Sequence, residues 1–323
     1  MSGHDHDHAH DHAHDHGHDH GVAQDADRRW LAVALALIGA FMVGEVVVGL
    51  LVRSLALLSD AAHMLTDAGA IVLALVAMRL AARPPKGGYT FGLKRAEILS
   101  AQANGLTMLI LAAVLAVEAV RRLFHPPDVV GLPVLVTAVA GIGVNLLASW
   151  ALSRANRTSL NVEGAFQHVL NDLFAFVATA IAGLVMVTTG FTRADPIATL
   201  IVVALMVRAG LGLVRASGRI FLEAAPSGID PPALGERLAA MAHVVEVHDL
   251  HVWQITSGEP ALSAHVLVAP GRDCHAVRAA IEELLRREYA LTHSTLQVDH
   301  AGAGPQDPDA HCEDAHGVAY RST

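Results

Sequence analysis

The sequence predicts an α-helical membrane protein: six transmembrane helices followed by a small cytoplasmic α+β domain of element order αββαβ. Three observations carry this reading. The chain has 323 residues, 53% of them apolar and only 16% charged, with a mean hydropathy of +0.43, which is too apolar for an ordinary soluble enzyme. From Trp30 to about Ser217, apolar runs recur at the length of about 20 residues that a helix needs to cross roughly 30 Å of hydrocarbon. Beyond about residue 220, short amphipathic and alternating segments replace them.

The spans are expected at about 30–52, 56–80, 97–120, 129–152, 162–188 and 196–215. Turn chemistry separates them, as in Arg83-Pro84-Pro85-Lys86-Gly87-Gly88 and Pro126-Pro127-Asp128. Asp195-Pro196 reads as a helix cap with proline in the first turn. Basic residues set the orientation. Arg28, Arg29, Arg79, Arg83, Lys86, Lys94, Arg95, Arg154, Arg157, Arg215 and Arg219 fall on one side; Arg53, Arg121, Arg122 and Arg193 fall on the other. The richer side is expected to be cytoplasmic, with both termini inside, as for a multi-pass protein of the cell (inner) membrane. The first apolar run lacks a basic lead and a cleavage site, so it reads as a retained helix.

In the second part, Pro231 to Ala242 reads as a short amphipathic helix and Val244 to Ile255 as a strand. Ala261 to Val268 alternates, with Leu262, Ala264, Val266 and Val268 on one face and Ser263, His265 and Leu267 on the other. Asp273 to Tyr289 is a charged amphipathic helix, and Leu291 to Asp299 a third strand. Four regions follow: a disordered His/Asp-rich tail at 1–28, a membrane domain at 29–217, an α+β domain at 218–300 and a disordered tail at 301–323. The net charge of −9 does not suggest nucleic-acid binding. Cys274 and Cys312 have no CxxC spacing, so neither a disulfide framework nor a thiolate zinc site is indicated.

The chemistry is concentrated within the bilayer. The second span contains His63-Met64-Leu65-Thr66-Asp67 and the fifth His168-Val169-Leu170-Asn171-Asp172. Residues four apart share a helix face, so each helix offers one imidazole nitrogen and one carboxylate in one direction. Two such helices facing each other supply the four ligands that suit tetrahedral Zn²⁺. Asp67 and Asp172 each lie about 11 residues, or roughly 16 Å, into their spans, near the midplane. A carboxylate there costs several kcal/mol unless partnered and is a functional residue by default. Each motif also sits on the middle helix of a three-helix half, as in an inverted repeat. Glu45, Asn104 and Asn145 lie within spans too; the two asparagines read either as helix–helix hydrogen-bonding groups or as residues lining the path. An intramembrane metalloprotease needs a glutamate base beside a metal histidine, as in HExxH, and neither motif has one. A membrane-anchored metal sensor without transport is the alternative reading.

Several ordered motifs resemble the cation diffusion facilitator family, in particular its bacterial zinc/cadmium/cobalt resistance branch. Ser54 to Asp60 running into His63–Asp67 resembles that family's second helix, and Tyr89-Thr90-Phe91-Gly92 with Arg95-Ala96-Glu97 the approach to its third. Asp195-Pro196 and Glu223-Ala224-Ala225-Pro226 resemble the sixth helix and its exit; His248-Asp249-Leu250-His251-Val252-Trp253 resembles the opening of the cytoplasmic domain. The resemblance implies a homodimeric, non-enzymatic efflux transporter exchanging metal for protons, with His63, Asp67, His168 and Asp172 as the transport site. It implies Zn²⁺ as cargo, with Cd²⁺ and Co²⁺ as further candidates, and no organic cofactor.

The resemblance also implies a regulatory metal site, with Zn²⁺ as a regulatory ion, at His248, His265 and Asp299, with Gln297 where some relatives have histidine. His251 and His300 are further candidates, and solvated strand residues are the competing reading. Position 94 is lysine where many relatives have histidine. Residues 81–94 hold no His, Asp, Glu or Cys, so no metal site is expected in that loop. The tract from His4 to His20 reads either as a metal-capturing tail, because neutral imidazoles are good zinc ligands, or as a dispensable low-complexity tail. His311-Cys312 with His316 is a weaker metal candidate.

Overall fold

The computed structural model describes residues 20–51, 55–125, 131–157, 159–191, 193–302 and 317–322. Within its helices, the side chains at 20–26, 48, 49, 55–63, 66, 67 and 131–134 fall outside that description. Most of the His/Asp tract, and His311, Cys312 and His316, also lie outside the described residues.

Six long helices come first: α1 His20–Leu51, α2 Leu55–Ala81, α3 Ala96–Phe124, α4 Gly131–Ser153, α5 Leu160–Thr189 and α6 Ala194–Phe221. Five are long and apolar enough to span a bilayer over their described residues. The sixth, α2, has 27 residues, about 40 Å of helix, with a described apolar stretch at Ala68–Ala81. Valines and isoleucines such as Val43, Val114, Val117, Val139, Ile181 and Ile201 point outward and stay exposed. An apolar shell around satisfied helical backbone is what lipid requires.

Two boundaries differ from expectation. Helix α1 starts at His20, so residues 20–28, expected to belong to a disordered tail, are helical. Residues 21–27 contain no proline and two alanines, Ala23 and Ala26, which favour helix. The buried Asp27 carboxylate accepts a hydrogen bond from the Asn156 amide at 2.7 Å, and Arg28 donates to the Met78 carbonyl at 3.3 Å. Helix α6 runs to Phe221, past the expected end near 215. There Glu223 adopts a left-handed conformation (φ 56°) and the Ala224 amide reaches back to the Arg219 carbonyl at 2.9 Å.

The helices sort into two groups. Leu31 and Ile38 of α1, Met64 and Ile71 of α2, Leu152 of α4 and Phe166 and Val169 of α5 form one core. Helices α3 and α6 meet at Ala112, Val202 and Met206. Gly105 and Gly210 face each other in that second pair: a Cβ on Gly105 would come within 3.1 Å of the Gly210 carbonyl oxygen. Only small residues permit so close a backbone approach.

The C-terminal domain contains α7 Pro231–Ala239, β1 Val244–Thr256, β2 Glu259–Val268, α8 Cys274–Tyr289, β3 His293–His300 and β4 Tyr320–Arg321. Its sheet has the order β3-β2-β1-β4. β1 and β2 form an antiparallel hairpin, while β2 and β3 are parallel because α8 carries the chain across between them. Leu262, Ala264, Val266 and Val268 are all buried, as their alternation requires, against Ile281 and Leu285 of α8 and Leu234 and Leu238 of α7.

β4 is a correction. The tail at 301–323 was expected to be disordered, yet its end returns to pair antiparallel with β1, Val247 opposite Tyr320. The Tyr320 ring packs over Gly235, leaving no room for a Cβ there. Arg321 donates to Glu246 at 2.8 Å, and that bond holds the guanidinium above its ordinary pKa. Two residues are too short to show alternation, so the sequence offered no signal for this strand.

The tip of the β1–β2 hairpin rests on the membrane helices. Ser257 Oγ accepts from the Leu160 amide at the start of α5 at 3.2 Å, and Thr256 donates to the Lys94 carbonyl at 3.3 Å. Lys94 pairs with Glu259 at 2.5 Å, and Arg95 donates to the Ile255 carbonyl at 3.3 Å.

Candidate metal-transport site

Helix α5 displays half of the expected constellation. His168 is buried, 3% exposed, and Asp172 is half-buried one turn further on. At 100° per residue, Asn161, His168 and Asp172 stay within about 20° of one line along the helix. The other half, His63 and Asp67, lies on α2, with side chains outside the described residues. The backbone relates the two motifs nonetheless. Asn161 is fully buried, and its Nδ2 donates to the Ala74 carbonyl of α2 at 3.0 Å. Residue 67 lies seven positions before Ala74, and residue 168 seven positions after Asn161. In a pair of antiparallel helices, equal counts from a shared contact reach the same level, roughly 10 Å away at 1.5 Å per residue. Eleven positions link residues 63 and 172 in the same way. Met64 and Val169, from the two motifs, belong to one core.

The N-terminal start of α5 is firmly anchored. Arg157 binds both oxygens of Glu163, at 2.8 and 3.3 Å, and this bond holds the guanidinium above its ordinary pKa. The same guanidinium lies 4.0 Å over the Phe166 ring. Gln167 donates to Glu163 at 2.6 Å, and Asn171 donates to the Gln167 carbonyl at 2.7 Å. A polar ladder thus runs up a second face of α5, beside the His168–Asp172 face.

The other polar residues within spans divide. Asn145 is buried and donates to the carbonyl of its own helix at Gly141, 3.1 Å away. Asn104 is buried where α3 meets α5, its Nδ2 3.6 Å from the position a Cβ on Gly164 would take. Glu45 is buried in α1.

In the C-terminal domain, the structure brings together a different trio from the one expected. His248 and His265 face each other across β1 and β2, with rings 5.3 Å apart and edge to face. The third residue is Asp249: one ligand atom from each of His248, Asp249 and His265 lies within 4.8 Å of the others. Asp249 Oδ2 is 3.5 Å from His265 Nδ1, and Glu246 Oε1 is 3.2 Å from His248 Nδ1. Asp299 is not part of this trio; it accepts a hydrogen bond from Gln297 at 3.0 Å, on β3. The β2–β3 register sets Gln297, not Asp299, opposite His265, and a β-bulge brings in Asp249. The β1–β2 register shifts between His248 and His251, and Asp249 takes φ 49°. Simple alternation sends neighbours 248 and 249 to opposite faces; the bulge lets both serve one site. Of the further candidates, His251 lines the adjoining cavity of about 360 Å³ with Asp249 and His265. His300 instead contacts the Arg272 carbonyl at 2.7 Å.

Comparison with known proteins agrees with this architecture. Residues 31–222 match the family model described as the cation efflux transmembrane domain, and residues 226–301 the one described as the cation efflux protein, cytoplasmic domain. The chain is 35% identical to the zinc transporter ZitB of Pectobacterium atrosepticum, over 91% of this chain and 92% of that protein. It is 34% identical to the cadmium, cobalt and zinc/H(+)-K(+) antiporter of Bacillus subtilis, over 85% and 90%. It is 36% identical to the metal cation efflux system protein CzcD of Cupriavidus metallidurans, over 88% and 90%. Helical membrane core, α+β appendage and matches along nearly the whole chain lead to one conclusion: this protein belongs to the cation efflux family, the cation diffusion facilitators.

Proposed function

We propose that the protein exports Zn²⁺ from the cytoplasm in exchange for protons, through a site made by His63, Asp67, His168 and Asp172. The observation that carries this is the Asn161–Ala74 bond, from which equal residue counts bring both motifs to one level of the α2–α5 pair. Two imidazoles and two carboxylates match the ligand number and type of tetrahedral zinc. Imidazole also disfavours Mn²⁺ and Mg²⁺ relative to Zn²⁺, while leaving Cd²⁺ and Co²⁺ as further cargo. The ligands bind metal only when deprotonated. Protons arriving from the outer side therefore compete with the ion and drive its release, and their movement inward resets the site. The richer basic side, which carries the α+β domain, is the cytoplasmic one, so both termini are inside and the bilayer is the inner membrane. The functional unit is a homodimer, and His248, His265 and Asp249 hold a second, regulatory metal ion.

Metal flux into proteoliposomes tests this. Wild-type protein moves Zn²⁺ in the direction opposite to an imposed proton gradient, while Asp67→Ala and Asp172→Ala do not. Flux that survives both substitutions refutes the site. Stoichiometric binding without any flux refutes transport and favours a sensor.

A further inference from the structure

Asn161 stands apart from the other polar residues of the membrane domain. It is fully buried in the first turn of α5, and its Nδ2 holds the Ala74 carbonyl of α2 at 3.0 Å. Its Oδ1 is also buried and has no hydrogen-bond partner among the described residues. The assignment of nitrogen and oxygen follows from the chemistry, since a carbonyl can only accept and needs the amide's N–H side. An orphaned buried acceptor costs stability. A leucine or alanine would pack between α2 and α5 without that cost, so packing alone does not account for an asparagine.

Its position supplies a reason. Asn161 lies two turns before His168 on the same line of α5, and Ala74 lies two turns after Asp67 on α2. A directional bond between these points fixes sliding and rotation of one helix against the other. Apolar contacts such as Ile71 and Ala74 against Val162 and Ala165 are non-directional and leave both freedoms softer.

We propose that Asn161 is a positioning residue for the transport site: it pins α2 to α5 in the register that sets His63 and Asp67 against His168 and Asp172, and so contributes to metal selectivity. The inference rests on the four-ligand reading above. Zinc is the smaller, more geometrically demanding ion, with Zn–N distances of about 2.0–2.1 Å. A site whose two halves can slide apart penalises Zn²⁺ more than the larger Cd²⁺. A residue that only supports folding lowers transport of both metals by one common factor.

The test is the ratio of kcat/KM for Zn²⁺ to that for Cd²⁺, measured with full-length protein in proteoliposomes. Asn161→Ala lowers the ratio about tenfold, the scale on which residues that orient ligands act. Asn161→Gln keeps the amide but moves it by one methylene and gives a smaller drop. If Asn161→Ala cannot be purified as a monodisperse protein, Asn161→Gln is read by the same criterion. An unchanged ratio, whether or not total flux falls, overturns the inference. His168→Ala is measured alongside. Normal flux in that variant removes the four-ligand site itself, whereas a dead His168→Ala beside an Asn161→Ala of unchanged ratio removes only the positioning role.

Discussion

Replacing Ser257 by alanine tests how the β1–β2 hairpin supports the helix that carries His168 and Asp172. The first four amides of any helix lack intrahelical partners. The residue in the capping position of α5, Ser159, makes no capping bond with its side chain; its hydroxyl instead contacts Glu97 at 3.4 Å. The Leu160 amide is capped from another domain, by Ser257 Oγ at 3.2 Å. Removing a capping hydroxyl costs about 1 kcal/mol, which corresponds to about a fivefold rise in local opening. The hairpin itself should stay docked, because Lys94–Glu259 at 2.5 Å and the Thr256 and Arg95 bonds at 3.3 Å remain. Hydrogen–deuterium exchange on the reconstituted protein therefore should show about fivefold faster exchange at Leu160 and Asn161, with β1 and β2 unchanged. Ser257→Thr, which keeps the hydroxyl, should exchange like wild type. Unchanged exchange at Leu160 in the alanine variant would refute the interdomain cap. Faster exchange spread evenly over the hairpin would refute its local character.

Two other outcomes are expected. Asp249→Asn should weaken binding of the second zinc by about tenfold or more in isothermal titration of the full-length protein, while Asp299→Asn leaves it within about twofold; the reverse order would restore Asp299 as the ligand. Gly235→Val should expel the Tyr320 ring from α7 and cost about 1–3 kcal/mol of overpacking. Limited proteolysis should then cut the chain after residue 316 faster, and wild-type resistance would show that β4 contributes nothing to the domain.

The membrane part was legible because its physics is one-dimensional. A span must be about 20 apolar residues long whatever it packs against, and a carboxylate among them stands out against its neighbours. His168 and Asp172 were therefore visible as a pair from spacing alone, as was the alternation of β2 at Leu262, Ala264, Val266 and Val268. The start of α1 at His20 was not, because a repetitive His/Asp composition hides the helix-compatible residues that follow it.

What the sequence determined by itself, then, was the inventory: six spans, an α+β appendage, and two motifs able to offer nitrogen and oxygen to a metal ion. Tertiary structure alone decided the relations between distant residues. Asn161 meets Ala74 across 87 positions, Leu160 meets Ser257 across 97, and Tyr320 returns to Gly235. It also decided that Asp249 rather than Asp299 joins His248 and His265, since a single bulge reverses the facing that alternation assigns. Periodicity reports which face a residue occupies within its own element, and it carries no information on which other element that face will meet.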